Sequence, residues 1–176
     1  GTGNDTLYGG LGNDTMVWNA GGGNDVVEGQ DGADTLRING NDAAERYDIA
    51  ASGARVNLFR DIGAALVDAG EVETIDLRTG AGADAVTVGD LAGTGATQLR
   101  VDLGSDTAAD TVTVNGSQAG DAITVRSTGS ETLVSGLAAE VHVTGAVLAD
   151  DRLIVNGQAG DDVIDASAMN GRMALT

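Results

Sequence analysis

Gly9-Gly10-Leu11-Gly12-Asn13-Asp14-Thr15-Met16-Val17 is one unit of a repeat. A glycine-rich turn leads to an Asp, and a three-residue strand follows with an apolar residue two positions after the Asp. Gly3-Asn4-Asp5-Thr6-Leu7-Tyr8 precedes it in the same style. Gly21-Gly22-Gly23-Asn24-Asp25-Val26-Val27-Glu28 and Gly29-Gln30-Asp31-Gly32-Ala33-Asp34-Thr35-Leu36-Arg37 follow. The Asp positions 5, 14, 25 and 34 step by 9, 11 and 9 residues, so alternate units are 20 apart. With two short strands and two turns per coil, alternate turns stack on one edge, which sets Asp5 beside Asp25 and Asp14 beside Asp34. Neighbouring strands lie about 4.8 Å apart. The stacked carboxylates therefore repel unless a cation stands between them.

A longer repeat continues the chain. Asp34 to Gly40 resembles Glu73 to Gly80, Asp110 to Gly116 and Asp151 to Gly157, with starts 39, 37 and 41 residues apart. Each carries a short alternating strand such as Thr111-Val112-Thr113-Val114. The spacing predicts an all-β chain folded as a parallel β-roll or β-solenoid of about 20 residues per coil. Residues 1–38 form the regular part; residues 39–176 form degenerate repeats of about 38 residues, continuous with it. The Ala-rich stretch Asp61 to Gly70 is the one candidate for a short helix.

Composition removes several functions. Nine basic residues, all Arg, face 27 acidic ones, a net charge of −18 over 176 residues. Such a surface repels nucleic-acid phosphates and anionic lipid. No apolar run approaches the ~20 residues of a membrane helix, so neither nucleic acid nor membrane insertion is expected. There is no Cys for disulfides or thiolate sites, and the single His142 is too little for a zinc or heme centre. The 41% hydrophobic content argues against disorder, and with four aromatic residues the core has to be aliphatic. With no initiator Met or leader, the chain reads as a segment of a longer protein.

A hard cation such as Ca²⁺ takes about six to eight oxygen ligands in irregular geometry, whereas Mg²⁺ requires a tight octahedron. Glycine-rich turns tolerate φ > 0, so successive carbonyls can converge, and the Asp adds charge. On these residues the chain resembles the repeats-in-toxin (RTX), or hemolysin-type, calcium-binding nonapeptide family, whose pattern is G-G-x-G-x-D-x-U-x with U apolar. Gly9 to Val17 fits it throughout, and three neighbouring units fit at all but one or two positions. Thr79 to Val86 and Gly157 to Ile164 look like relics of it.

The resemblance implies a parallel β-roll with cations between same-edge turns. Its carboxylate ligands would be Asp5, Asp14, Asp25 and Asp34, and its carbonyl ligands would come from turn residues such as Gly10, Gly12, Asn13, Gly23, Asn24, Gly32 and Ala33. Asp84 and Asp162 are weaker candidates because neither has an evident same-edge partner two units away. Asp110 and Asp151 are expected to bind nothing, since Ala108 and Ala149 replace a turn glycine. The resemblance further implies secretion from a bacterium, and folding or stabilisation by external calcium.

Asp and Gly are ordinary turn residues, and one isolated G-x-D would mean only a turn; four consecutive units at fixed spacing mean more. His142 alternates with Val141 and Val143 and reads as an exposed strand residue. Trp18 reads as a cap over the core edge or a partner contact, and the scattered Arg residues as partners of surface Asp. The expected function is a calcium-binding structural module rather than an enzyme. The alternative is a calcium-dependent adhesin or surface-layer module that contacts surface glycans or copies of itself. A polysaccharide-modifying enzyme ranks last, because the chain has no Lys and few aromatic residues.

Overall fold

The computed structural model of the chain describes residues 1–171 and 173–176. Strands β1 (Thr6–Leu11), β2 (Thr15–Asn19), β3 (Asp25–Asp31) and β4 (Thr35–Asn39) alternate between two sheets. β5 (Arg46–Ser52), β6 (Arg55–Arg60) and β7 (Ala65–Gly70) then stay together in the first sheet. Alternation resumes with β8 (Thr74–Arg78), β9 (Ala85–Val88), β10 (Gln98–Asp102) and β11 (Thr111–Asn115). β12 (Ala122–Thr128), β13 (Glu131–Ser135) and β14 (Glu140–Thr144) stay in the second sheet, and β15 (Arg152–Asn156), β16 (Val163–Ala168) and β17 (Ala174–Leu175) alternate again.

The chain is all-β, but its sheets are mixed, which corrects the expectation of a purely parallel roll. β6 runs antiparallel to both β5 and β7, and β13 runs antiparallel to both β12 and β14. The cause is local. Gly53-Ala54 and Gly129-Ser130 leave only two residues between strands, with Gly53 at φ 64° and Gly129 at φ 61°. A two-residue connection reverses the chain into a hairpin, whereas a parallel neighbour needs a long crossover. Each sheet receives one such meander: β3-β7-β6-β5-β9 in the first and β10-β14-β13-β12-β16 in the second.

The meanders also account for the offsets of 39 and 41 residues between stacked strands. Thr6 pairs with Val26 and Thr15 with Thr35, 20 residues on in each case. Further along, Thr35 pairs with Thr74, Gln98 with Thr74 and Thr111 with Arg152, offsets of 39, 24 and 41. Twenty residues per coil thus holds at the opening pairs and not beyond. The expected helix is corrected too: only Ile62–Ala64 forms a 3₁₀ turn, and Ala65–Gly70 is strand β7, with Ala65, Val67 and Ala69 buried at period two.

Inward side chains alternate along nearly every strand, as in Leu36 and Ile38, Ile75 and Leu77, Leu99 and Val101, Val112 and Val114. Each such side chain contributes roughly 1.5–3 kcal/mol on burial. Trp18 lies within β2, the edge strand of the second sheet, 3% exposed and packed in this core, as a cap over the core edge would be and unlike a partner contact. An ion pair is buried as well: Arg60 pairs with Glu45, which also accepts a hydrogen bond from the Tyr47 hydroxyl. Burial, followed by the Glu45 hydrogen bond, pushes the Tyr47 hydroxyl well above its usual range.

Candidate metal centres

The turns at the sheet edges share one hydrogen bond. The N–H of Asp5 donates to Oδ1 of Asp25 (2.7 Å), and that of Asp14 to Oδ1 of Asp34 (2.8 Å). The side chain of Asn4 accepts from Asn24 N, and that of Asn13 from Ala33 N, both at 3.0 Å. These bonds fix one carboxylate oxygen of each acid in the next coil and leave the other to find its own partner.

The same ladder runs through the degenerate region. Asp34 N donates to Glu73, Glu45 N to Asp84, Asp84 N to Asp110, Asp110 N to Asp151 and Asp121 N to Asp162, all at 2.7–2.9 Å. Asp84 and Asp162 therefore do have stacked acidic neighbours, at separations of 39, 26 and 41 residues that a search at 20 does not find. Asp84 and Asp110 are 2% exposed, and burial raises both carboxyls to about 6.

What distinguishes the turns is the second carboxylate oxygen. At Glu45, Asp121 and Asp151 it accepts the main-chain N–H four residues earlier: from Asn41 (3.1 Å), Ser117 (2.7 Å) and Val147 (2.6 Å). The Ser117 hydroxyl reinforces the bond to Asp121. At Asp14, Asp34 and Asp84 the Oδ2 atom is buried with no hydrogen-bond partner.

The backbone accounts for the difference. Four residues before Asp14, Asp25, Asp34, Asp84 and Asp162 stand Gly10, Gly21, Gln30, Gly80 and Gln158, all at positive φ between 72° and 103°. Asn41, Ser117 and Val147 are not among the positive-φ residues. Since φ sets the orientation of the preceding peptide, the positive-φ turns swing that N–H away from the carboxylate. Gln30 and Gln158 do so without being glycine, so the residue type alone does not reveal them. Neither Ala108 nor Ala149 has a positive φ.

The glycines beside the unpartnered oxygens of Asp14 and Asp34 also abut main-chain carbonyls. A Cβ added to Gly9 would lie 3.4 Å from Asp14 Oδ2 and against the Gly29 carbonyl oxygen. One added to Gly29 would lie 2.7 Å from Asp34 Oδ2 and overlap the Glu71 carbonyl oxygen. Gly23 and Gly32, both at positive φ, sit directly on the carbonyls of Gly3 and Gly12 in the preceding coil. At Asp84 the corresponding glycine is replaced by Thr79, whose side chain is buried there. Among the described residues no three His, Asp or Glu side chains converge as a metal cluster. Any cation at these turns would therefore be held by one or two carboxylates together with peptide oxygens. That donor set, all oxygen and partly anionic, suits Ca²⁺.

Residues 1–17, 19–40 and 154–168 match the RTX calcium-binding nonapeptide repeat (4 copies). No curated protein and no solved structure matches the chain significantly. The chain thus carries RTX repeats at its opening turns and again around Asp162. RTX nonapeptide repeats bind calcium, and calcium is the ion of this protein. No helix among the described residues is long and apolar enough to cross a membrane.

His142 does point away from the core, but it is partly buried, with Nδ1 2.6 Å from Glu131. Arg37, Arg46, Arg55, Arg60 and Arg78 pair with acids; Arg100 hydrogen-bonds the Gln98 amide instead; Arg172 lies outside the described residues.

Proposed function

We propose that this protein is a calcium-dependent structural module of a secreted bacterial protein, stabilised or folded by the ions its edge turns hold. Asp14 and Asp34 would hold one, with peptide oxygens of Gly10, Gly12, Asn13, Gly32 and Ala33. Asp5 and Asp25 would hold another, with Gly23 and Asn24. Asp162 and Asp84 are further, weaker positions, Asp84 the weaker because Thr79 occupies its cradle. The observation that carries the reading is the unpartnered, buried Oδ2 of Asp14 and of Asp34 inside matched RTX repeats. A buried carboxylate oxygen with no donor is costly, and a bound cation removes that cost.

Calcium would supply positive charge, and the carboxylates and peptide carbonyls of the turns would supply its oxygen ligands. The Asp5 and Asp14 N–H groups orient the carboxylates of the next coil, and positive-φ turns keep main-chain donors from competing for them. Because the ligands come from different coils, binding free energy becomes folding free energy. Outside the cell, where calcium is abundant, the coils would lock. Calorimetric titration with calcium tests the reading. Wild type should bind with integral stoichiometry, and Asp14→Ala should lose the site shared with Asp34 while keeping the one at Asp5 and Asp25. Failure of wild type to bind at millimolar calcium would overturn it.

A further inference from the structure

The stacked acidic turns are bonded with one polarity. The acid of the earlier coil donates its main-chain N–H to the carboxylate of the later one, as Asp14 does to Asp34 and Asp121 to Asp162. The residue after the later acid donates back to the earlier carbonyl: Thr35 N–H to Asp14 O, and Val163 N–H to Asp121 O. A ladder of this kind has unlike ends. Asp14 leads into β2, the edge strand at one end of the second sheet, and no described coil precedes it. Asp162 leads into β16, the edge strand at the other end, and no described coil follows it.

The core is open at the same two places. Ile164 pairs with Ile123 and Leu175 with Leu153, yet they are 43% and 37% exposed where their partners are 1% and 0%. At the opposite end, Met16 pairs with Leu36, and the partly buried Leu7 with Val27. Within each sheet every strand but β6 and β13 runs the same way. A copy displaced along the stack therefore brings β16 beside β2 and β17 beside β1 in the parallel sense.

We infer that copies of this chain stack head to tail, β16 and β17 of one against β2 and β1 of the next. The Asp162 N–H of one copy would donate to Asp14 Oδ1 of the next, whose Thr15 N–H would donate back to the Asp162 carbonyl. Ile164 would cover Met16, and Leu175 would cover Leu7, at the roughly 4.8 Å spacing of paired strands. Both turns at the joint are of the uncapped kind, with Gly10 and Gln158 at positive φ, and both lie in matched RTX repeats. Within the molecule, the carbonyl of Gly29 closes on Gly9 and that of Gly157 on Gly116. At Gly157 the three nearest atoms all belong to Asp162, and Gly9 of the next copy would bring the closing carbonyl. The ends thus match each other in register, bond polarity and turn type, which selects a second copy as the occupant. Each copy carries −18, so the ends can meet only with the carboxylates of the joint neutralised, and the inference rests on the calcium reading. The contact joins unlike surfaces and propagates as a filament unless its rotation closes a ring.

Sedimentation velocity of the 176-residue chain, with calorimetric calcium uptake on the same samples, tests this. In millimolar calcium the wild type should sediment as species that grow with protein concentration, and excess EDTA should return it to the monomer. Thr15→Pro removes a donor at the first residue of an edge strand, a position that tolerates proline. Ile164→Lys places a charge at the opposite edge. Each variant should keep the wild-type circular dichroism and stay monomeric in calcium. An equimolar mixture of the two should double in mass and go no further. Phe59→Lys, on β6 away from both ends, should assemble as the wild type does. A wild type that takes up calcium and stays monomeric would overturn the inference and leave the calcium reading standing; one that takes up none would overturn both. Assembly that survives EDTA, or that either end variant performs alone, would also overturn it.

Discussion

The main-chain N–H of Asp14 donates to Oδ1 of Asp34, 2.8 Å away and 20 residues later. One coil thereby orients the acid of the next, and the oxygen left over is buried without a donor. The same bond joins Asp121 to Asp162 and Glu45 to Asp84, yet at Glu45 and Asp121 the spare oxygen is capped by the chain itself. The molecule thus has turns that leave a carboxylate oxygen uncapped and turns that supply their own donor.

Chelation should expose the difference. In excess EDTA, circular dichroism should show lost or reduced β signal and a lower melting midpoint, restored by millimolar calcium and poorly by magnesium. At a calcium concentration one hundred times the dissociation constant, each site adds about 2.7 kcal/mol. An unchanged spectrum and midpoint would falsify the calcium dependence.

Substitution at the two kinds of turn should separate them. Asp34→Ala should remove the part of the calcium-induced rise in midpoint that comes from the site shared with Asp14. Ser117→Ala removes the hydroxyl that reinforces Asp121. It should cost about 1 kcal/mol, equally with and without calcium. Melting curves of both variants in EDTA and in calcium decide the matter.

Two glycines make a matched pair. A methyl at Gly29 meets Asp34 Oδ2 at 2.7 Å and the Glu71 carbonyl, whereas a methyl at Gly53 meets nothing within 4 Å. Gly29→Ala should cost about 1–3 kcal/mol as overpacking and weaken calcium binding as well. Gly53→Ala, at φ 64°, should cost about 1 kcal/mol through backbone strain alone and leave calcium affinity unchanged. Denaturant midpoints and calorimetry report the two effects separately.

The buried acids give a pH signature in calcium-free protein. Burial raises Asp84 and Asp110 to about 6, above the 3.8 of a free Asp. The folded form therefore takes up protons more readily than the unfolded form between these values. Stability contributed by these groups increases as pH falls from above 6 toward 4, and is lost as pH rises through 6. In EDTA the melting midpoint should be higher at pH 5 than at pH 7, and Asp84→Asn with Asp110→Asn should flatten that rise.

Arg60 and Glu45 form a buried ion pair. Their side chains are 3% and 0% exposed, so Arg60→Met leaves a buried carboxylate without its cation. The expected loss in EDTA is about 3–5 kcal/mol, measured by denaturant unfolding.

Much of this protein follows from local spacing. The all-β character, the alternating aliphatic core and the stacking of Asp5 on Asp25 and Asp14 on Asp34 are all carried by a 20-residue period. A period is a property of the chain as written, and stacked coils preserve it in space. Three features needed the folded molecule. The meanders arise at the two-residue turns of Gly53 and Gly129, but which strands flank each meander in its sheet is seen only in the folded molecule. Those meanders lengthen the offset to 39 and 41 residues, and so hid the neighbours of Asp84 and Asp162. Which carboxylates stay uncapped depends on φ at positions such as Gln30 and Gln158, where the residue type does not favour the conformation the coils impose. Neighbour and backbone angle at these places are set by contacts between coils, which no single stretch of sequence contains.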